Sequence, residues 1–133
     1  MLEREALPPD ALRGRQGEEL AYWHLREQGF IIVGRNYRPE GLRGEIDLIG
    51  WEEDTLVFVE VKTRGPSPYL PPEVAVDHEK QKNLVAAARE YRRRAGYLSA
   101  PYRYDIVSVT VSTDGPEIRH FRDAFREGTG PER

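Results

Sequence analysis

The sequence predicts an α/β domain: a mixed sheet of four to five strands flanked by helices, in the order helix, three strands, helix, one or two strands. Three observations carry that prediction. Apolar residues recur at helical spacing in two stretches, Arg15–Gln28 and Asp77–Ala95. Gly44–Trp51 and Thr55–Thr63 are rich in apolar and β-branched residues and stand either side of Glu52-Glu53-Asp54, the pattern of a hairpin. Tyr102–Ser112 then alternates as a further strand, ahead of a turn at Asp114-Gly115.

Each element has its own start and stop signals. Gly29 ends the first helix, and Phe30 opens a strand that reaches about Tyr37 before Pro39-Glu40-Gly41 turns it. Pro66, Pro68, Pro71 and Pro72 exclude regular structure after the third strand, through residue 72. Asp77 is a suitable N-cap for the second helix, whose apolar stripe is Leu84, Ala87, Ala88, Tyr91 and Ala95 and which Gly96 stops. Glu117–Phe121 adds a short fifth strand. A single domain over residues 13–122 follows, with 1–12 and 123–133 as loose tails.

Composition narrows the function classes. There is no cysteine, which excludes disulfides and thiolate-zinc sites. No apolar run approaches the roughly 20 residues that span a bilayer, and the first residues have neither the basic nor the apolar region of a secretory signal, so the chain is expected to be cytoplasmic, without a membrane. The net charge of −3 argues against a generic polyanion binder, yet Glu79–Arg94 alone carries +4. That basic helix suits a nucleic-acid contact and equally suits an ordinary solvated face.

The chemistry concentrates in four residues. In the third strand the apolar run ends at Glu60-Val61-Lys62, and the period of two puts Glu60 and Lys62 on one face with Phe58, with Val57, Val59 and Val61 on the other. In the second strand, alternation groups Glu45, Asp47 and Ile49 against Ile46 and Leu48. An aspartate inside a strand calls for a partner, either a salt bridge to Lys62 or Arg43 or a shared metal. Glu18 lies within or beside the apolar stripe of the first helix, where it reads as a boundary glutamate unless other acids converge on it. Two carboxylates and an ammonium at the end of a buried hairpin suit a divalent-metal phosphodiesterase site, because Mg²⁺ takes oxygen ligands and keeps several waters. His24, His78 and His120 are scattered without metal-ligand spacing, and no phosphate-binding glycine loop is present.

Gly14-x-x-Gly17-Glu18-x-x-Ala21, Gly44-Glu45-Ile46-Asp47-Leu48-Ile49, Val57–Arg64 and Tyr104-Asp105-Ile106-Val107 together resemble the PD-(D/E)xK nuclease superfamily, which has the restriction-endonuclease-like fold. More narrowly they resemble its small bacterial YraN-like family. The resemblance covers about residues 13–122 and implies a helix, three strands, helix, strand core. By position, Asp47 and Glu60 match the superfamily's metal-binding acids, Lys62 its catalytic lysine, and Glu18 the helical glutamate of archaeal Holliday-junction resolvases. Ile46 stands where the motif's name-giving proline would be. The expected function is Mg²⁺- or Mn²⁺-dependent hydrolysis of nucleic acid, with Asp47 and Glu60 holding the metal, Glu18 assisting it as a further metal ligand and Lys62 acting on the nucleophilic water, DNA at branched or recombination intermediates being the expected substrate. Arg64, Lys80, Lys82, Arg92, Arg93 and Arg94 would contact phosphates, with Gln81 or Lys80 as a polar contribution from the second helix. The alternative is a non-catalytic nucleic-acid-binding or recombination-accessory module on the same fold. Branched substrates need two cuts, which makes a symmetric homodimer attractive. Asp105 reads as structural, capping or pairing near the fourth strand.

Overall fold

A computed structural model describes residues 9–65 and 78–127, with side chains from residue 14. Its elements are α1 (Pro9–Glu27), β1 (Ile31–Tyr37), β2 (Ile46–Glu52), β3 (Thr55–Arg64), α2 (His78–Ala95), β4 (Tyr102–Thr110) and β5 (Glu117–Phe125). The five strands form one sheet in the order of the chain. Neighbours run antiparallel except β3 and β4, which are parallel and joined through α2. This is the mixed α/β architecture that the strand and helix patterns predict.

Both helices end as their glycines dictate. Gly29 adopts φ 102° and Gly96 φ 83°, a left-handed region that other residues enter at a steric cost. At the end of α1 the Phe30 amide donates to the Leu25 carbonyl and the Gly29 amide to Arg26. At the end of α2, Tyr97 donates to Arg92 and Gly96 to Arg93. These paired bonds satisfy carbonyls that a helix end leaves open.

Side-chain alternation divides the core between the two faces of the sheet. Ala21 and Leu25 of α1 pack with Leu48, Val57, Val59, Val107 and Val109. Leu84, Ala87 and Ala88 of α2 pack with Ile46, Ile49, Leu56, Phe58, Tyr104 and Ile106 on the other face. Val57 and Val59 thus oppose Phe58, as the period of two requires.

The structure corrects several boundaries. α1 begins at Pro9, so residues 9–12 belong to the helix and not to a tail; proline's fixed φ suits the first helical turn. β5 continues past Phe121 to Phe125, because the ring of Phe125 stacks on Tyr104 at 4.9 Å and the Asp123 amide donates to Asp105. Ala95 is exposed, and Arg92 takes the buried position at that end of the α2 stripe. Ile46 packs with Ile49 and not with Leu48. Ile46 is paired with Tyr37 of β1 but lies past Leu48–Val59, the last partner pair with β3. Asp77 and the prolines of 66–72 lie outside the described residues, as do the chain ends 1–8 and 128–133.

Candidate functional site

The end of the β2–β3 hairpin is the centre of the site. Where β2 parts from β3, the Asp47 side chain replaces a backbone acceptor: its Oδ2 takes the Val61 amide at 2.8 Å. That bond joins the strands past their last partner pair and fixes the carboxylate. Glu60, one residue earlier on β3, is buried at 5% exposure. Its Oε2 pairs with the Lys80 ammonium from the first turns of α2. Asp47, Glu60 and Lys80 line one cleft of about 190 Å³ together with Arg43, Gly44, Glu45, Asn83 and Leu84.

Two glycines let the helices approach this end of the sheet. A Cβ on Gly44 would lie 2.2 Å from the Asn83 carbonyl oxygen of α2, and one on Gly17 would lie 1.9 Å from Thr63 Oγ1 on β3. Neither space admits a methyl group, so the acids next to these glycines, Glu45 and Glu18, are carried close to the hairpin. Gly44→Ala is expected to lower stability by about 3 kcal/mol, because its obstacle is helix backbone. Gly17→Ala should cost less, about 1–2 kcal/mol, because the Thr63 side chain can turn away. Urea denaturation of both variants checks this ranking, and two neutral substitutions would contradict the packing.

The acids repel one another. Burial and the neighbouring Glu60 charge push the Asp47 pKa up to about 7 against the Val61 hydrogen bond, and Glu18 and Glu45 add to the rise. Glu18 is raised too, by burial first and then by Glu45 and Glu60, against Arg35 and Arg15. Glu45 pairs with the exposed Arg38 at 3.0 Å.

Of the residues predicted from sequence, the structure brings Asp47 and Glu60 into one cleft. Glu18 instead lines a separate groove with Arg15, Gln16, Glu19, Arg35 and Asn36. Among the described residues no three His, Asp or Glu side chains are grouped to hold a metal ion. Lys62 is half-buried on β3 past the β2 pairing, and the ammonium that reaches Glu60 belongs to Lys80. Gln81 is half-buried and Lys82 exposed; neither lines the cleft. Arg64 is the last residue of β3.

The arginine run departs from its expected role. Arg92 is 7% exposed, with its guanidinium 3.8 Å over the Tyr102 ring and bonded to the Leu98 carbonyl. It packs at the far end of α2 from Lys80, away from the cleft. Arg93 and Arg94 are exposed but both pair with Glu90. At 1.5 Å per residue the run stands about 20 Å along the helix from Lys80.

Glu45, Asn83 and the Lys80–Glu60 pair were not assigned these places from the sequence. The local signals were the alternation that groups Glu45 with Asp47 and the polar contribution expected from Gln81 or Lys80 of the second helix. A second polar group, away from the cleft, centres on Asp105. This fully buried carboxylate accepts from Arg103 at 2.9 Å, His120 at 2.8 Å and the Asp123 amide at 2.9 Å, which makes it structural, as expected.

The fold and site together define a mixed α/β domain with an acidic cleft at the splayed end of its central hairpin. The chain belongs to the uncharacterised protein family UPF0102, whose family profile matches residues 17–109. It is 48% identical over 124 residues to a UPF0102 protein of Solibacter usitatus, covering 93% of this chain and 92% of that one. It is also similar to UPF0102 proteins of Geobacter metallireducens (40% over 112 residues, 84% and 90% covered) and Rhodococcus jostii (43% over 113 residues, 84% and 94% covered).

Proposed function

We propose that this protein is a divalent-metal-dependent phosphodiesterase of the PD-(D/E)xK superfamily, hydrolysing nucleic acid and most naturally DNA. The observation that carries the reading is the juxtaposition of Asp47 and Glu60 in one cleft, where burial first and the Glu60 charge second raise the aspartate to about 7. Two carboxylates that resist being charged together are what a small hard cation relieves. The donor set fits Mg²⁺ or Mn²⁺: two oxygen-bearing side chains suffice, because such ions retain waters for the remaining positions.

In this reading Asp47 and Glu60 hold the cation, and Glu18 strengthens the local negative potential. What the bound cation supplies is polarisation of a phosphoryl oxygen and a more acidic water. The Val61 amide keeps the Asp47 carboxylate in place before substrate arrives. Lys62 orients the attacking water and offsets charge growing on phosphorus. Lys80, paired with Glu60 Oε2, would stand beside a cation held there and place its positive charge near a phosphate. Arg64 and Lys82 add sequence-independent contacts.

The Lys80–Glu60 pair also favours a second reading, a non-catalytic nucleic-acid-binding module, because it already neutralises Glu60 without metal. Incubation with junction, flap and single-stranded DNA in Mn²⁺ separates the two. Cleavage lost in Asp47→Ala and Lys62→Ala supports the enzyme. Cleavage that persists in both variants defeats these assignments, and DNA binding without metal uptake or cleavage favours the module.

A further inference from the structure

We infer that the groove between α1 and β1 is a track for an unpaired nucleic-acid strand, which makes the substrate class one that contains single-stranded nucleic acid. This inference rests on the nucleic-acid reading above and extends it to a surface that the acidic cleft does not use. The groove is about 510 Å³ and all six residues that line it are polar: Arg15, Gln16, Glu18, Glu19, Arg35 and Asn36. A protein-docking centre would be poor in charge, whereas a backbone track needs cations and polar groups.

Beside the groove stands an aromatic pair. The rings of Tyr22 and Trp23 meet edge to face at 5.1 Å, and Trp23 is 51% exposed. The Arg35 guanidinium lies 4.2 Å over the Tyr22 ring, and Arg26 lies 5.3 Å from the Trp23 centroid. Glu19 ties the two together, accepting from the Trp23 indole at 2.9 Å and from Arg35 at 3.0 Å. Those bonds offset the Glu19 charge and hold the indole in one orientation at the surface. An exposed indole with guanidinium groups alongside offers a stacking face next to phosphate donors. Bases in a duplex are stacked on each other and cannot use such a face, while unpaired bases can.

The groove lies toward the proposed chemistry: Glu18 lines it, and the preceding Gly17 packs against Thr63 of β3, three residues past Glu60. A strand resting on Tyr22 and Trp23 would bring its backbone toward Asp47 and Glu60.

The test is fluorescence anisotropy of labelled oligothymidylate with the full chain in EDTA, where binding is read without cleavage. A duplex of the same length is the competitor. The expected result is a strand preference of at least tenfold over duplex, with a loss of about tenfold in each of Trp23→Ala and Arg35→Gln. Trp51→Phe leaves Trp23 as the one remaining tryptophan, and its emission should quench saturably on the same titration. Equal affinity for strand and duplex, or unchanged binding in both groove variants, overturns the track. So does a concentration-dependent dimer that Trp23→Ala dissolves, because the patch is then a contact between copies. Binding in EDTA with no cleavage in any metal would leave the track standing and remove the enzyme. Cleavage that needs Asp47 but ignores Trp23 would do the reverse.

Discussion

Asp47→Asn is expected to make the protein more stable and to abolish the proposed metal-dependent cleavage. The wild-type carboxyl has its pKa raised to about 7, from burial first and the Glu60 charge second, so the folded state holds this proton more tightly than the unfolded chain does. A raised acid contributes stability only while it is protonated. That contribution is complete below the ordinary aspartate value near 3.8 and declines as pH rises toward about 7. Above that range the ionised group is a standing cost of about 2 kcal/mol, allowing for its partial contact with solvent. The asparagine removes the charge and keeps an oxygen for the Val61 amide. The variant should therefore melt several degrees higher at pH 8 and about equal to wild type at pH 4. Millimolar Mg²⁺ should raise the melting temperature of the wild type alone, since only that cleft needs the cation. If cleavage is present, the substitution should lower it about a thousandfold or more. Thermal melts across pH, with and without Mg²⁺, decide the matter; identical pH profiles for the two proteins would refute the electrostatic account.

Asp105→Ala should be the most damaging substitution for the fold, at about 3–5 kcal/mol. Burial works to raise this carboxyl, but the bonds from His120, Arg103 and the Asp123 amide outweigh it and hold its pKa below the ordinary value. Truncation leaves a buried imidazole and a mostly buried guanidinium facing an empty space. Arg103 also bonds Glu52, which Arg122 and Arg103 hold down to about 2, so the loss spreads across β2, β4 and β5. Both carboxyls are depressed. Their stabilisation is present above the ordinary carboxylate values and is lost as acid drives the pH down toward 2. Urea unfolding at neutral pH measures the deficit, and a loss under 1 kcal/mol would show that the network is not holding β5. Asp105→Asn should recover part of it by keeping acceptors for Arg103 and the Asp123 amide.

Much of the sheet was legible because its signals are local. The hairpin of Gly44–Trp51 and Thr55–Thr63 is visible as two apolar runs around an acidic turn, and the observed β2 and β3 differ from it by a residue or two at their ends. The opposite faces of Phe58 and Val59 follow from geometry alone. Asp47 and Glu60 meet because two antiparallel strands can hardly avoid it. What was hidden depends on rotation and distance between elements. Lys62 is nearer to Glu60 in sequence, but Lys80 reaches it, because that depends on how α2 is docked over the sheet. Arg92 carries the same charge as Arg93 and Arg94, yet it faces Tyr102 while they face solvent and Glu90. A composition count cannot separate three adjacent arginines; only the helical phase against a particular ring does. Glu18 was visible as a boundary residue but not as part of a second groove, which exists only once β1 is laid beside α1.

The parallel pairing of β3 with β4 sets an order of assembly. The β2–β3 hairpin closes over the two residues Glu53 and Asp54, a loop that costs little entropy and forms in microseconds. Partners on β3 and β4 can meet only after the whole segment containing α2 has folded back across the sheet, a slower event. Closing the hairpin is enough to bring Asp47 and Glu60 together, whereas Lys80 reaches Glu60 only once the crossover through α2 is in place.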